Sequence, residues 1–190
     1  MSKNLIKPSD YLYPQPVVLI GVKVDDKPNF TTVSWVGIAN ETPPMISIAL
    51  NHERYSLKGI RQNNVFSVNI PSVEMVKETD YCGIVSGARV NKTEECQFDI
   101  FYGNSDTAPL IKQCPVNLEC GVIQILDLGS HSLVIGEIKQ VHISENCLTA
   151  GKPDINKINP IAYITGHTGQ YHAIGIFLDN AYSVGKGIRK

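Results

Sequence analysis

The sequence predicts a mainly β fold, a closed or nearly closed barrel carrying a few short helices. Three observations point there. β-branched and aromatic residues gather in short runs bounded by turn residues. In the clearest runs the apolar period is two, the period of a strand. Only two short helical patterns occur, both in the first half of the chain, so no repeating strand-helix-strand unit is expected.

Val17 to Val22 reads as the first strand and Phe30 to Val36 as the next, with Asp25-Asp26-Lys27-Pro28-Asn29 as the turn between them. From Met45 to Leu50, bulky Ile46, Ile48 and Leu50 alternate with Ser47 and Ala49, so a strand here has a bulky face and a small one. The small face has room for something flat. Pro43-Pro44 ahead of it excludes helix and sets where the strand begins. Leu57 and Ile60 recur at helical spacing, which predicts a short helix with Ser56 as N-cap, ended by Asn63-Asn64. Val65 to Ile70 alternates again as a strand, and Pro71-Ser72 opens a second short helix in which Val73 and Val76 share a face.

From Asp80 to Pro115, Gly83, Gly87, Gly103 and Pro109 mark loops, and little regular structure is expected. Strands return at Gly121 to Leu126 and at Ser132 to Ile143, joined by the turn Asp127-Leu128-Gly129-Ser130-His131. Two prolines and two asparagines break the stretch from Lys152 to Pro160. Ile161 to Ile164 then reads as a late strand, followed by a turn at Gly166-His167-Thr168-Gly169. No internal repeat or linker divides the chain, so residues 1–190 are expected to form a single domain.

With 43% apolar and 18% charged residues in 190, and a mean hydropathy of -0.05, the chain is able to bury a sizeable core. Seventeen Lys and Arg against eighteen Asp and Glu leave a net charge of -1, so there is no basic field for a nucleic-acid backbone. No apolar run approaches the roughly 20 residues that span a bilayer, so no membrane partner is expected. The opening MSKNLIKPSDYLYPQP lacks the continuous apolar stretch of a signal peptide, and a cytoplasmic protein is expected. The five cysteines have no paired spacing and read as reduced, mostly buried thiols.

The sequence contains no GxGxxG, no phosphate-loop GxxxxGK[ST], no HExxH and no GxSxG. Its five histidines, at 52, 131, 142, 167 and 172, are scattered, and no metal site is expected. No catalytic side-chain constellation is expected either. Any activity therefore borrows its reactivity from a cofactor.

One ordered stretch is more informative. Thr31-Thr32-Val33-Ser34-Trp35, Pro43-Pro44, Ile46 to Asn51, Ser56, Leu57 to Ile60 and Phe66-Ser67-Val68-Asn69 follow one another as a small-polar strand with an aromatic, a proline start, a strand, a hydroxyl residue, a helix and an "FxVN" strand. Leu128 to Ile138 looks like a "GDHxxxxGxV" hairpin, with Ser130 in place of the Asp, and Pro160 to Gly169 like a late strand with a glycine turn. In this order and spacing the chain resembles the flavin reductase-like and flavoredoxin family of FMN-binding proteins.

The resemblance implies a split β-barrel of Greek-key type that binds FMN, forms a homodimer and places the flavin near the subunit interface. It implies an oxidoreductase passing electrons from NADH, NADPH or a protein donor through the flavin to free flavin, ferric iron or a protein acceptor. A flavoredoxin-like electron carrier or a non-catalytic flavin-binding protein is the alternative. By position in the motif, Thr32, Val33, Ser34, Trp35, Ala49, Leu50 and Asn51 would line the ring. Arg54 and Ser56 would hold the phosphate, Arg54 as a charged fork and Ser56 at a helix N-terminus. Tyr55 would cover the edge, and Ser86, Gly87 and Arg89 would add to the phosphate and ribityl side. His131 or His167 would tune the ring. Taken singly, each has a plainer reading: Trp35 as core, Ser56 as a helix cap, Arg54 and Arg89 as solvated charges.

Overall fold

The computed structural model describes residues 1–166 and 169–188. Its strands are β1 (Gln15–Pro16), β2 (Val18–Val24), β3 (Lys27–Val33), β4 (Val36–Asn40), β5 (Met45–Asn51), β6 (Val65–Ile70), β7 (Ile100–Phe101), β8 (Leu110–Ile111), β9 (Val116–Leu128), β10 (His131–Ile143), β11 (Leu148–Thr149), β12 (Lys152–Pro153), β13 (Ile161–Ile164) and β14 (Gln170–Ala173). The α-helices are α1 (Tyr55–Asn63), α2 (Val76–Ile84), α3 (Lys92–Glu95) and α4 (Ile155–Ile158). The turn expected at Gly166 to Gly169 includes positions 167 and 168, which lie outside the described residues.

Seven strands form the main sheet in the order β3-β2-β6-β9-β10-β5-β4, and β1-β13-β14 form a second sheet. All the strand pairs are antiparallel. β3 and β4 are consecutive in the chain yet lie at opposite edges of the main sheet, so the barrel is split rather than closed. The strand expected from Phe30 to Val36 is broken for the same reason. β3 ends at Val33, Ser34-Trp35 carry the chain from one edge to the other, and β4 begins at Val36.

The hairpin of β2 and β3 is tighter than expected. Asp25 and Asp26 alone make the turn, with φ of 49° and 63°, a two-residue geometry that suits short polar side chains and the twist of the strands. β5 alternates as the sequence demands, with Ile46, Ile48 and Leu50 buried and Ser47 and Ala49 on the more open face. β2 is buried on both faces. Val18 and Ile20 join the barrel core with Phe66, Val68 and Val134, whereas Leu19 joins Phe30, Met75, Cys82 and Phe98 under α2.

α1 starts earlier than expected. Arg54 is the N-cap residue and makes no side-chain cap bond, while Ser56 lies in the first turn. Asn64 ends the helix in the left-handed conformation, φ 53°, its N–H donating to the Ile60 carbonyl. In α2 the buried face is Met75, Thr79 and Cys82 rather than Val73 and Val76, which stay half-buried, because a 3₁₀ turn over Val73–Met75 rotates the chain before the helix begins. The Asp80 to Pro115 stretch, expected as loops, holds α3, capped by the Asn91 side chain, and the β7–β8 pair. β9 and β10 run longer than expected, with register shifts between Ile135 and Gly136 and between Ile138 and Gln140 that bend them around the core. Among the described residues no helix is long and apolar enough to cross a membrane.

Candidate functional site

The end of β3, the end of β5 and the start of α1 converge on one side of the barrel. β5 stops at Asn51, whose side chain accepts the Glu53 N–H at 2.9 Å and whose carbonyl accepts the Arg54 N–H at 3.0 Å. That turn starts α1, whose N-terminal residues Arg54, Tyr55 and Ser56 line a hollow of about 370 Å³. No acidic residue occupies the first turn of α1, so the partial positive charge there is uncompensated from within the helix.

The walls of this hollow come from five places. Asn51, Glu53, Arg54, Tyr55 and Ser56 come from the β5–α1 corner, Asn29 and Thr31 from β3, Ile84, Val85, Ser86 and Gly87 from the end of α2 and the loop after it, Lys92 from α3, and His131 from the start of β10. Arg54 donates through Nη1 to the Gly83 carbonyl at 2.6 Å, which leaves most of its guanidinium donors unused. Asn29 donates to the Ser56 hydroxyl at 2.7 Å. Lys92 is only 3% exposed, and its ammonium donates to the carbonyls of Phe30 and Cys82, each at 2.8 Å. Two of its three N–H donors are thereby used. Burial, with the Arg54 cation adding to it, pushes the Lys92 ammonium below the ordinary lysine range. The Thr31 hydroxyl, also buried, has no hydrogen-bond partner. A buried cation with a spare donor and an orphaned hydroxyl beside it suit an anion.

A second hollow of about 150 Å³ continues from the first and shares Asn51, Arg54 and His131 with it. Thr32, Val33, Ser34, Trp35, Ala49 and Leu50 complete its lining. Val33 and Leu50 bury their side chains in the core, so they meet the hollow through the backbone. The His131 ring stacks on Trp35 with centroids 4.7 Å apart and 32° between planes. Its Nδ1 lies 2.8 Å from the hydroxyl of Ser130, the residue that stands in place of the motif's Asp. Asp127 anchors this hairpin tip to α1 through Arg61 at 2.6 Å and, within the hairpin, accepts a hydrogen bond from the Ser132 hydroxyl at 2.6 Å. Those contacts, the Ser132 bond first, hold its carboxyl below the usual range.

The structure therefore brings twelve of the thirteen sequence-derived site residues to the two connected hollows. Arg89 is the exception: it is exposed on the turn closed by its N–H to the Ser86 carbonyl and lies outside both linings. His131 lies at the junction of the hollows, and His167 falls outside the described residues.

A family profile described as "Flavin reductase like domain" matches residues 11–172. The chain belongs to this family. It is similar to flavoredoxin from Methanosarcina acetivorans, 39% identical over 99% of this chain and 100% of that one, with a TM-score of 0.94. It is also similar to flavoredoxin of Desulfovibrio vulgaris (Miyazaki F), at 32% identity, 97% and 100% coverage and a TM-score of 0.90. A more distant relative is the FMN reductase (NADH) RutF of Acinetobacter baylyi, 23% identical over 110 residues, which cover 58% of this chain and 56% of that one.

In this flavin reductase-like chain, sequence reasoning missed Asn29, Thr31 and Lys92 as lining residues. Asn29 lies in a segment that reads as a turn and Lys92 in a stretch that reads as loops. Lys92 reaches the Phe30 carbonyl across 62 positions of sequence, so no local pattern announces it.

Proposed function

We propose that the two hollows hold FMN and that the chain passes electrons through it, as a flavoredoxin-like carrier fed by a protein donor or by reduced nicotinamide. The observation that carries this reading is the junction of a cation-lined hollow with a small-walled one at Asn51, Arg54 and His131. A flat ring on a polar tail ending in a phosphate of charge about -2 needs that juxtaposition.

In this reading Arg54, Lys92 and Ser56 hold the phosphate, with the unpartnered Thr31 hydroxyl as a further donor. The N–H groups at the start of α1 face the same anion. Thr32 to Trp35 and Ala49 to Asn51 meet the ring through backbone groups and short side chains, and Tyr55 closes the edge. FMN, when bound, supplies one- and two-electron chemistry, so the protein's work is binding, orientation and control of access. That division fits a site without a paired nucleophile and base.

Likeness to two flavoredoxins at 39% and 32% identity supports the carrier form. Likeness to an NADH-dependent FMN reductase, at lower identity and over part of the chain, supports a second form in which NADH or NADPH is the donor. A homodimer belongs to the same reading, since Trp35 stands exposed at the mouth of the ring hollow.

Flavin-free protein titrated with FMN, following the quenching of flavin fluorescence, tests the site. Arg54→Ala and Ser56→Ala are each expected to weaken FMN by about tenfold or more, the worth of a hydrogen bond to a charged group. Unchanged affinity in both variants removes the phosphate assignment. Mixing the loaded protein with NADH and with NADPH, without oxygen, separates the two forms: bleaching of the flavin marks the reductase, and its absence marks the carrier.

A further inference from the structure

We propose that Cys82 and Cys96 form a dithiol that closes to a disulfide when a small disulfide oxidant is present, and that closing it loosens the hold of Arg54 and Lys92 on the FMN phosphate. The second half rests on the FMN reading of the hollows, whereas the first stands on the thiols alone.

The two cysteines sit where two elements meet. Cys82 lies in the last turn of α2, and Cys96 is the residue that ends α3. These ends are tied side by side. The Tyr81 hydroxyl donates to the Glu95 carboxylate, the Lys92 ammonium donates to the Cys82 carbonyl at 2.8 Å, and the Lys92 carbonyl accepts the Cys96 N–H at 3.0 Å. Tyr81 with Glu95 and Cys82 with Cys96 are thus consecutive rungs between the same elements. Both cysteines pack in the apolar cluster of Leu19, Phe30 and Phe98 under α2, and their side chains are in contact.

Their environments assign them different roles. Cys82 is fully buried, while Cys96 is half-buried and opens on a hollow of about 320 Å³ that Lys77 and Glu78 also line. Burial raises both thiols above the ordinary range. Against it, the contact with Cys82 lowers Cys96, whereas the contact with Cys96 raises Cys82 further. Cys96 is therefore the sulfur that meets the oxidant and Cys82 the one that resolves. The Cys96 thiolate bonds to one sulfur of a small disulfide and releases the other as a thiolate. Cys82, deprotonated in turn, attacks the Cys96 sulfur and releases the second thiolate. The two protons lost by the cysteines go to the released thiolates, so the protein dithiol is oxidised and the small disulfide reduced. With both thiols raised, the exchange is slow at neutral pH and follows sustained oxidation.

The same turn of α2 aims the cations of the phosphate hollow. The Cys82 carbonyl holds Lys92, and the carbonyl of the next residue, Gly83, holds Arg54 Nη1 at 2.6 Å. Ile84 to Gly87 continue along the wall of that hollow. A disulfide brings its sulfurs to about 2 Å, well inside the contact distance of free thiols. Drawing Cys82 toward Cys96 moves both carbonyls, and Arg54 and Lys92 with them. Charge-assisted bonds to the phosphate lose their geometry together.

The test incubates the FMN-loaded protein with oxidised glutathione, then maps alkylated peptides by mass spectrometry and titrates FMN by fluorescence. A Cys82–Cys96 cross-link is expected, with FMN about tenfold weaker and recovery on adding dithiothreitol. Riboflavin, which lacks the phosphate, is expected to bind alike before and after. Cys96→Ser is expected to bind FMN as the reduced protein does and to ignore the treatment. Both cysteines still open to alkylation, or glutathione left standing on Cys96, overturns the pairing. A cross-link with FMN affinity unchanged, or with an equal loss for riboflavin, overturns the coupling to the phosphate. Reduced protein that binds no FMN overturns the FMN reading and the coupling with it, while the cross-link still decides the pairing.

Discussion

Lys92 gives the sharpest residue-scale test of the proposed phosphate assignment. Its ammonium is held by two carbonyls and disfavoured by burial, so an arriving dianion returns what desolvation removed. Lys92→Met is expected to weaken FMN by roughly tenfold to a hundredfold while leaving riboflavin, which lacks the phosphate, nearly unchanged. The ratio of the two affinities, measured by fluorescence titration, checks it, and an equal loss for both would deny Lys92 a phosphate role. Gly87 offers a steric counterpart. A Cβ there would overlap the Asn29 Oδ1, so Gly87→Ala must turn Asn29 away from Ser56. The expected outcome is an FMN affinity about tenfold weaker, from one lost hydrogen bond and a narrowed hollow. Arg54, Ser56 and Gly87 were visible in the sequence because they follow an ordered motif. Asn29, Thr31 and Lys92 acquire their meaning only when β3 and α3 are brought against α1.

At the scale of the element, alternation made β5 and β6 legible, since each buries its bulky residues on one side. The ends of elements were less legible. The break at Ser34-Trp35 depends on β3 and β4 pairing at opposite edges, which a local run of β-formers does not encode. Ser56 looked like a cap because it precedes Leu57, yet the turn held by Asn51 starts α1 at Tyr55 and frees the hydroxyl to meet Asn29. β10 likewise carries a requirement that the "GDHxxxxGxV" likeness marks without explaining. A Cβ on Gly136 would come within 2.6 and 2.7 Å of the Phe66 ring and 3.2 Å of the Cys120 Cβ. Gly136→Ala is expected to destabilise the protein by about 1–3 kcal/mol, the usual range for overpacking a filled core. Urea unfolding checks this, with a lowered midpoint and an unchanged slope as the expected signature.

For the whole molecule, the mainly β class followed from periodicity, whereas the split between β3 and β4 is a property of topology that only the resemblance anticipated. Burial of the thiols, expected from their number and spacing, has a global consequence. Desolvation raises the Cys82, Cys96 and Cys114 thiols above their ordinary range and pushes Cys120 up to about 12. An unfolded cysteine ionises near 8.5. Between that value and the folded one, the unfolded chain holds fewer protons than the folded chain, so stability falls as pH rises. Lys92 acts in the opposite sense. Its lowered folded value makes the unfolded chain bind more protons below about 10.4, so this one group adds stability as pH rises toward that value. Four thiols against one ammonium give a net loss. The unfolding free energy is expected to decline from about pH 8.5 upward, by about 1 kcal/mol or more per pH unit once several groups titrate together. Urea unfolding at a series of pH values between 7 and 10 checks the direction. Cys120→Ala is expected to flatten the slope, because one of the four raised thiols is then gone.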